Sequence, residues 1–164
     1  RAQELEIPYE SWDPKMIKNK LPIVETEQFG PVKLISDKKF GKNNGENLLK
    51  LIDKNLILSA HDISNGGLIT ALSEMSLTSD FGAKIYKPKK LTNLFKYFFG
   101  EDQARYIIEI QTQKLPIVEK ILKESNIYYE NIGLTQENYF EIEGELKIST
   151  KDLFKINNQW YNKY

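Results

Sequence analysis

Between Ser59 and Ser76 the chain reads SAHDISNGGLITALSEMS, an order of residue types that suits a strand, a tight turn and a helix. His61 and Asp62 follow the apolar run LILSA, and Gly66 and Gly67 form the turn. Leu68, Ala71, Leu72 and Met75 then recur at i, i+3, i+4 and i+7, which is one apolar helical stripe. A helix starting there presents unbonded N–H groups and the positive end of its dipole, both of which favour phosphate. Glycines let the backbone approach a ligand closely. Asp62 is placed to hold Mg²⁺ through one carboxylate oxygen, as in metal–phosphate sites, and Ser64 to donate its hydroxyl to a phosphate. The same residues have a plainer reading. Asp, Ser and Asn before a helix are ordinary caps, paired glycines permit close helix–sheet packing, and an isolated glycine motif is weak evidence. Nothing in the sequence pairs His61, the single histidine, with a base or metal partner, so a packed or hydrogen-bonded role is expected of it.

A second segment, FFGEDQARYIIEI (Phe98–Ile110), sets Glu101, Asp102 and Gln103 between an aromatic helix end and a β-branched strand, with Gly100 supplying a turn. Two carboxylates and an amide just outside a strand can bind a polar ligand or a metal. They also suit an exposed turn with solvated charges, in which Arg105 is a local ion-pair partner worth little. The tyrosines and phenylalanines fall at strand and helix periodicity, which core packing explains better than base stacking. The run KPKK (Lys87–Lys90) reads as a solvated loop.

The elements that must position these segments can be read from the remaining pattern. The 164 residues allow one domain with a real core. Twenty-three basic residues balance 23 acidic ones, against the basic excess of a non-specific nucleic-acid binder. There is no cysteine, hence no disulfide framework and no thiol nucleophile, which suits a reducing cytoplasm. No apolar run approaches the ~18 residues of a membrane span, and the first residues lack a signal-peptide core. A start at Arg1 rather than Met is expected of a chain cut from something longer or processed.

Pro8, Pro14, Pro22 and Pro31 punctuate the first stretch, so residues 1–37 are expected to be an irregular arm or linker, with KLPIV and PVKLI as short strands or edge contacts. FGKNNGEN is expected to be a loop. ENLLKLIDKN is expected to be a helix with Leu48, Leu49 and Ile52 on one face, and LILSA a short buried strand. Beyond the Ser59–Ser76 segment, GAKIY predicts a strand, LTNLFKYFF a short helix and ARYIIEI a strand. KLPIVEKILKES predicts a helix with Pro116 in its first turn. IYYENIGL, NYFEIEG and ELKIST predict strands, the last two joined around Gly144, and KDLFKINNQWYNKY a closing helix. The expected fold class is α+β, a mixed sheet with helices packed on one face, formed by residues 38–164.

Taken together, the segments resemble phosphoribosylformylglycinamidine synthase, the purine-pathway PurL family. SAHDISNGGLITALSEM is similar to its SAHD…S…GGL segment, FFGEDQARYIIEI to its FGEDQ segment, and NIGLTQENYFEIEGELKISTKDLFKINNQWYNKY to its C-terminus. The resemblance covers roughly residues 40–164 and the last domain of the family. Related synthetases and kinases, selenophosphate synthetase among them, keep an Asp and a glycine pair in the turn without the FGEDQ segment.

The resemblance implies an ATP-dependent ligase of de novo purine biosynthesis, cytoplasmic, that turns formylglycinamide ribonucleotide and glutamine-derived ammonia into formylglycinamidine ribonucleotide, ADP and phosphate. It implies ATP or ADP and Mg²⁺ as cofactors. It implies Asp62 as a metal ligand, Ser64, Gly66 and Gly67 as nucleotide contacts, and Glu101, Asp102 and Gln103 as substrate contacts. It implies as partners the remaining domains, a glutaminase subunit and a small accessory subunit, with no nucleic acid and no membrane. The family's catalytic histidine segment is missing, so no catalytic residue is expected on this chain, and alone it is expected to be inactive. The alternative is a stand-alone remnant or interaction module with the same fold. Asn65 stands where the family has an acid and Ala104 where it has glycine.

Overall fold

Pro31–Ser36, β1 of the computed structural model, lies inside a seven-stranded sheet; residues 30–36, 41–79, 81–88 and 93–159 are described. The other strands are β2 (Ser59–Asp62), β3 (Phe81–Ile85), β4 (Tyr106–Glu109), β5 (Tyr128–Glu137), β6 (Tyr139–Ile142) and β7 (Leu146–Ser149). The helices are α1 (Gly41–Asp53), α2 (Gly67–Leu77), α3 (Leu94–Phe99), α4 (Leu115–Glu124) and α5 (Thr150–Gln159). The strand order is β2-β4-β1-β5-β3-β6-β7. Neighbours are antiparallel except β3 and β6, which run parallel. The mixed α+β sheet is as expected.

PVKLI is a strand, one of the two readings offered for it, but as β1 it lies inside the sheet and not in an irregular arm that runs to residue 37. This strand pairs with β4 on one side and β5 on the other, Leu34 facing Ile107 and Glu130. Pro31 is tolerated because it begins the strand. Lys33 obscures the pattern, because its burial depends on Glu119, far along the chain: its ammonium lies 2.8 Å from the Glu119 carboxylate and 5.1 Å from the centre of the Tyr129 ring. KLPIV and the final residues 160–164 lie outside the described residues.

Successive strand residues point to opposite faces, and here both faces are apolar. Val32, Leu34, Ile107 and Ile132 pack with Leu68, Ala71 and Leu72 of α2 and Phe98 of α3. Ile35, Ile108 and Ile110 pack with Leu51 of α1 and with Val118 and Leu122 of α4. The helices therefore divide between two faces, not one. Adjacent Ile107 and Ile108, both fully buried, make a second helical layer necessary.

Two local expectations also change. FGKNNGEN is not a loop from Gly41 onward but the first turns of α1. Its inward face is Asn44, Asn47, Leu48 and Leu51, while Leu49 and Ile52 are exposed. The buried amides are held by tertiary partners: Asn44 Nδ2 donates to Ala104 O at 2.9 Å, and Ser125 Oγ donates to Asn47 Oδ1 at 2.8 Å. Nor is LILSA a buried strand; β2 begins at Ser59, lies at the sheet edge and alternates half-buried with exposed residues.

Candidate functional site

The β2–α2 turn and the α3–β4 loop meet at one end of the sheet because β2 and β4 are neighbours. Asp62 pairs with Tyr106, and the pairing is prolonged by Ile63 N–H donating to Arg105 O at 2.9 Å. Ile63 is buried and anchors the turn. Gly66 and Gly67 then take φ of 79° and 72°, left-handed backbone that glycine adopts without steric cost. A Cβ on Gly67 would lie 2.6 Å from Phe99 C and 2.7 Å from Phe98 O, so this glycine lets α2 start directly against α3.

The glycine amides are not free for a phosphate, contrary to the expectation from sequence. Gly66 N–H donates to Glu101 Oε1 at 2.8 Å, and Gly67 N–H donates to Ser64 O at 3.1 Å. A protein carboxylate thus takes the N-cap amide of α2, at the helix end where the dipole favours negative charge. Spacing could not reveal this, because Glu101 reaches the turn only through the β2–β4 pairing.

Asp62, Ser64, Asn65, Glu101, Gln103 and Arg105 are among the residues that line a cleft of about 300 Å³. Of the residues singled out from sequence, Asp62, Ser64, Glu101 and Gln103 come together there, whereas Asp102, Gly66 and Gly67 do not line it. Asp102 turns to Arg105, 3.6 Å from carboxylate oxygen to guanidinium nitrogen. Burial, and then the Glu130 carboxylate, push the Tyr97 phenol of α3 up, while Arg105 pulls it down.

Sequence reasoning undervalued Arg105, which is only 8% exposed. The available signal was its rarity: Arg1 and Arg105 are the two arginines among 23 basic residues. His61 projects to the opposite face from Asp62. Its Nδ1 lies 2.6 Å from Asp62 O and its Nε2 3.2 Å from Glu74 Oε2, the hydrogen-bonded role expected of it. With Ser59 and Glu109, joined by a 2.9 Å hydrogen bond, it lines a separate cleft of about 280 Å³.

Ala104 holds the loop in a left-handed turn at φ 60°. Non-glycine residues are strained there by about 1–2 kcal/mol. Ala104→Gly is expected to raise stability by about 0.5–1 kcal/mol, the gain being partly offset by the freer unfolded chain. Urea melts of the two proteins measure the difference, and a loss of stability would remove the strain argument.

Among the described residues no group of three or more His, Asp or Glu side chains could hold a metal ion. Asp62, with its side chain 64% exposed, fits a divalent cation only as a single carboxylate anchor beside ligand phosphates. No helix among the described residues is long and apolar enough to cross a membrane.

A mixed sheet with helices on both faces, carrying an acidic strand end, a Gly-Gly turn and an opposing acidic loop, defines an AIR-synthase-type C-terminal domain. The chain belongs to the family described as AIR synthase related protein, C-terminal domain, whose profile matches residues 20–143. It is 47% identical over 123 residues to phosphoribosylformylglycinamidine synthase subunit PurL of Pelagibacter ubique, and 32% identical to that of Rhodopseudomonas palustris. The first match covers 75% of this chain but 17% of its relative's length, so the chain spans about a sixth of the curated relatives it matches. The fold is shared with T. maritima PurL complexed with ATP, at a TM-score of 0.63 and 16% identity over 77% of this chain and 25% of that one. Thiamine-monophosphate kinase from Stenotrophomonas maltophilia has a more distant likeness, with a TM-score of 0.52 and 13% identity over 72% of this chain and 51% of that one.

Proposed function

We propose that this chain is the C-terminal domain of a phosphoribosylformylglycinamidine synthase. In this reading it serves the ATP-dependent conversion of formylglycinamide ribonucleotide and glutamine-derived ammonia to formylglycinamidine ribonucleotide, ADP and phosphate. The observation that carries the reading is the 47% identity to a PurL subunit across three quarters of the chain. The domain works in the cytoplasm with the remaining domains of the synthase, a glutaminase subunit that supplies ammonia, and a small accessory subunit. It contributes no catalytic residue of its own.

Its part is to position nucleotide. Asp62 anchors the cation at the mouth of the cleft, Ser64 offers a hydroxyl donor, and Gln103 an amide for the polar parts of substrate or nucleotide. Gly66 and Gly67 shape the nucleotide turn through backbone conformation, and Glu101 and Asp102 order the facing loop on the substrate side. Bound Mg²⁺ would neutralise charge on the phosphoryl groups. Two observations favour the second reading, a remnant without chemistry. Gly66 and Gly67 already have protein partners, and Ala104 strains the loop.

Co-expression decides between them. With a synthase truncated before this domain, in a purine auxotroph, the chain is expected to restore growth without purines; no growth with a well-folded chain favours the remnant. In the restored assembly, Mg·ADP at 100 times its dissociation constant is expected to stabilise by ~2.7 kcal/mol. Asp62→Ala is expected to lose most of that shift, and an unchanged nucleotide-induced melting shift would remove Asp62 from the site.

A further inference from the structure

We propose that the cleft at the C-terminal end of α2 binds a small organic cation, a primary ammonium carried on a short apolar chain. This cleft, about 280 Å³ in volume, lies at the opposite end of the sheet from Asp62, and the proposal does not depend on the nucleotide reading. Its strand residues meet only through sheet pairing. Glu109 ends β4 and pairs with Ser59 of β2 on one side and Val32 of β1 on the other. Strand alternation sets these three on the face of Ile107, which is the face that α2 covers.

The charge of the cleft is negative and uncompensated. No lysine or arginine among the described residues lines it. The half-buried Glu109 carboxylate accepts a 2.9 Å hydrogen bond from Ser59 Oγ and has no cationic partner among the described residues. His61 also lines the cleft, but its two ring nitrogens are taken up by Asp62 O and Glu74 Oε2. The last turn of α2 lines the cleft through Met75 and Ser76. A helix C-terminus carries partial negative charge and favours a cation, and no basic residue stands in that turn.

The remaining walls set the kind of cation. Val32, Leu72, Met75 and Ala83 make them apolar. Ser76 is only 6% exposed and lines the cleft, yet its hydroxyl has no hydrogen-bond partner among the described residues. It is a further acceptor for an ammonium bonded at Glu109, since an ammonium carries three N–H donors. A metal ion would leave the apolar walls unused and would find no group of three His, Asp or Glu ligands among the described residues. An ammonium on a short alkyl chain uses both the carboxylate and the walls.

The test titrates the isotope-labelled full chain with n-butylammonium chloride and follows its amide NMR signals, with n-butanol and sodium butyrate as controls of equal length. Butylammonium is expected to shift the amides of Ser59, Ser76, Ala83 and Glu109. Butanol is expected to bind about tenfold more weakly, the gap between a charge-assisted and a neutral hydrogen bond, and butyrate not to bind. Glu109→Gln keeps the shape and removes the charge, and is expected to lower butylammonium to the affinity of butanol. The proposal is overturned by no shift at the cleft, by equal affinity for amine and alcohol in the native chain, or by a preference for the amine that survives Glu109→Gln. The comparison of amine with alcohol in the native chain decides the matter even if Glu109→Gln does not fold. No nucleotide enters the experiment, so its failure leaves the synthase reading intact, and failed complementation leaves the cation site intact.

Discussion

Gly67→Ala is expected to destabilise the chain by about 3 kcal/mol, summing left-handed strain of ~1–2 kcal/mol and overpacking of ~1–3 kcal/mol. The Cβ would enter a left-handed residue at φ 72° and lie under 3 Å from the backbone of Phe98 and Phe99. Backbone cannot rotate away as a side chain can, so α2 and α3 must separate. Gly66→Ala is the control. At φ 79° it carries similar strain, but its Cβ meets the Thr70 side chain, with Oγ1 at 2.2 Å, which can change rotamer at the loss of its hydrogen bond to Gly66 O. For a chain of this size the larger loss lowers Tm by about 6–12 °C. Thermal melts in which Gly67→Ala costs no more than Gly66→Ala would show that α2–α3 contact does not demand the glycine.

The second large effect is expected at Lys33, buried under α4 with Glu119 as its carboxylate partner. Glu119→Leu leaves the ammonium without its anion. Breaking a wholly buried pair costs about 3–5 kcal/mol, and the partial exposure of Glu119 reduces the expected loss to about 2–3 kcal/mol. Lys33→Met removes the charge instead and fills much of the same volume, so it is expected to be neutral or stabilising by about 1 kcal/mol.

The same pair has a pH signature. The hydrogen bond from Lys33 holds the Glu119 carboxyl below its ordinary value of 4.5. A depressed carboxyl stabilises the fold above that ordinary value, and the contribution is lost as pH falls through the lower folded value. Stability measured from pH 7 to pH 3 should therefore lose its Glu119-dependent drop below about pH 4.5 in Glu119→Leu. An unchanged acid limb would show that the pair does not contribute there.

Local sequence determined what local physics decides. The apolar stripe Leu68–Met75, the early Pro116, the β-branched run at Tyr106–Ile110 and the hairpin around Gly144 each contain their own signal, and each element lies where that signal put it. The family was legible for a related reason: the segments SAHDISNGGL and FGEDQ are contiguous, so their residue types can be read without knowing where they sit. Only the tertiary structure decided the rest. β1 was offered from sequence only as a short strand or an edge contact; it is a central strand because two distant strands and Glu119 bury it, which Pro31 and Lys33 do not announce. Asn44 and Asn47 can face inward from the helix because partners 60 and 78 residues away take the Asn44 Nδ2 and the Asn47 Oδ1. The Gly66 amide is taken by the Glu101 carboxylate, 35 residues on, across the β2–β4 pairing. The physical reason is common to all three. A polar group's role depends on which partner takes its hydrogen bond or charge, and those partners are brought together by sheet pairing across long stretches of chain.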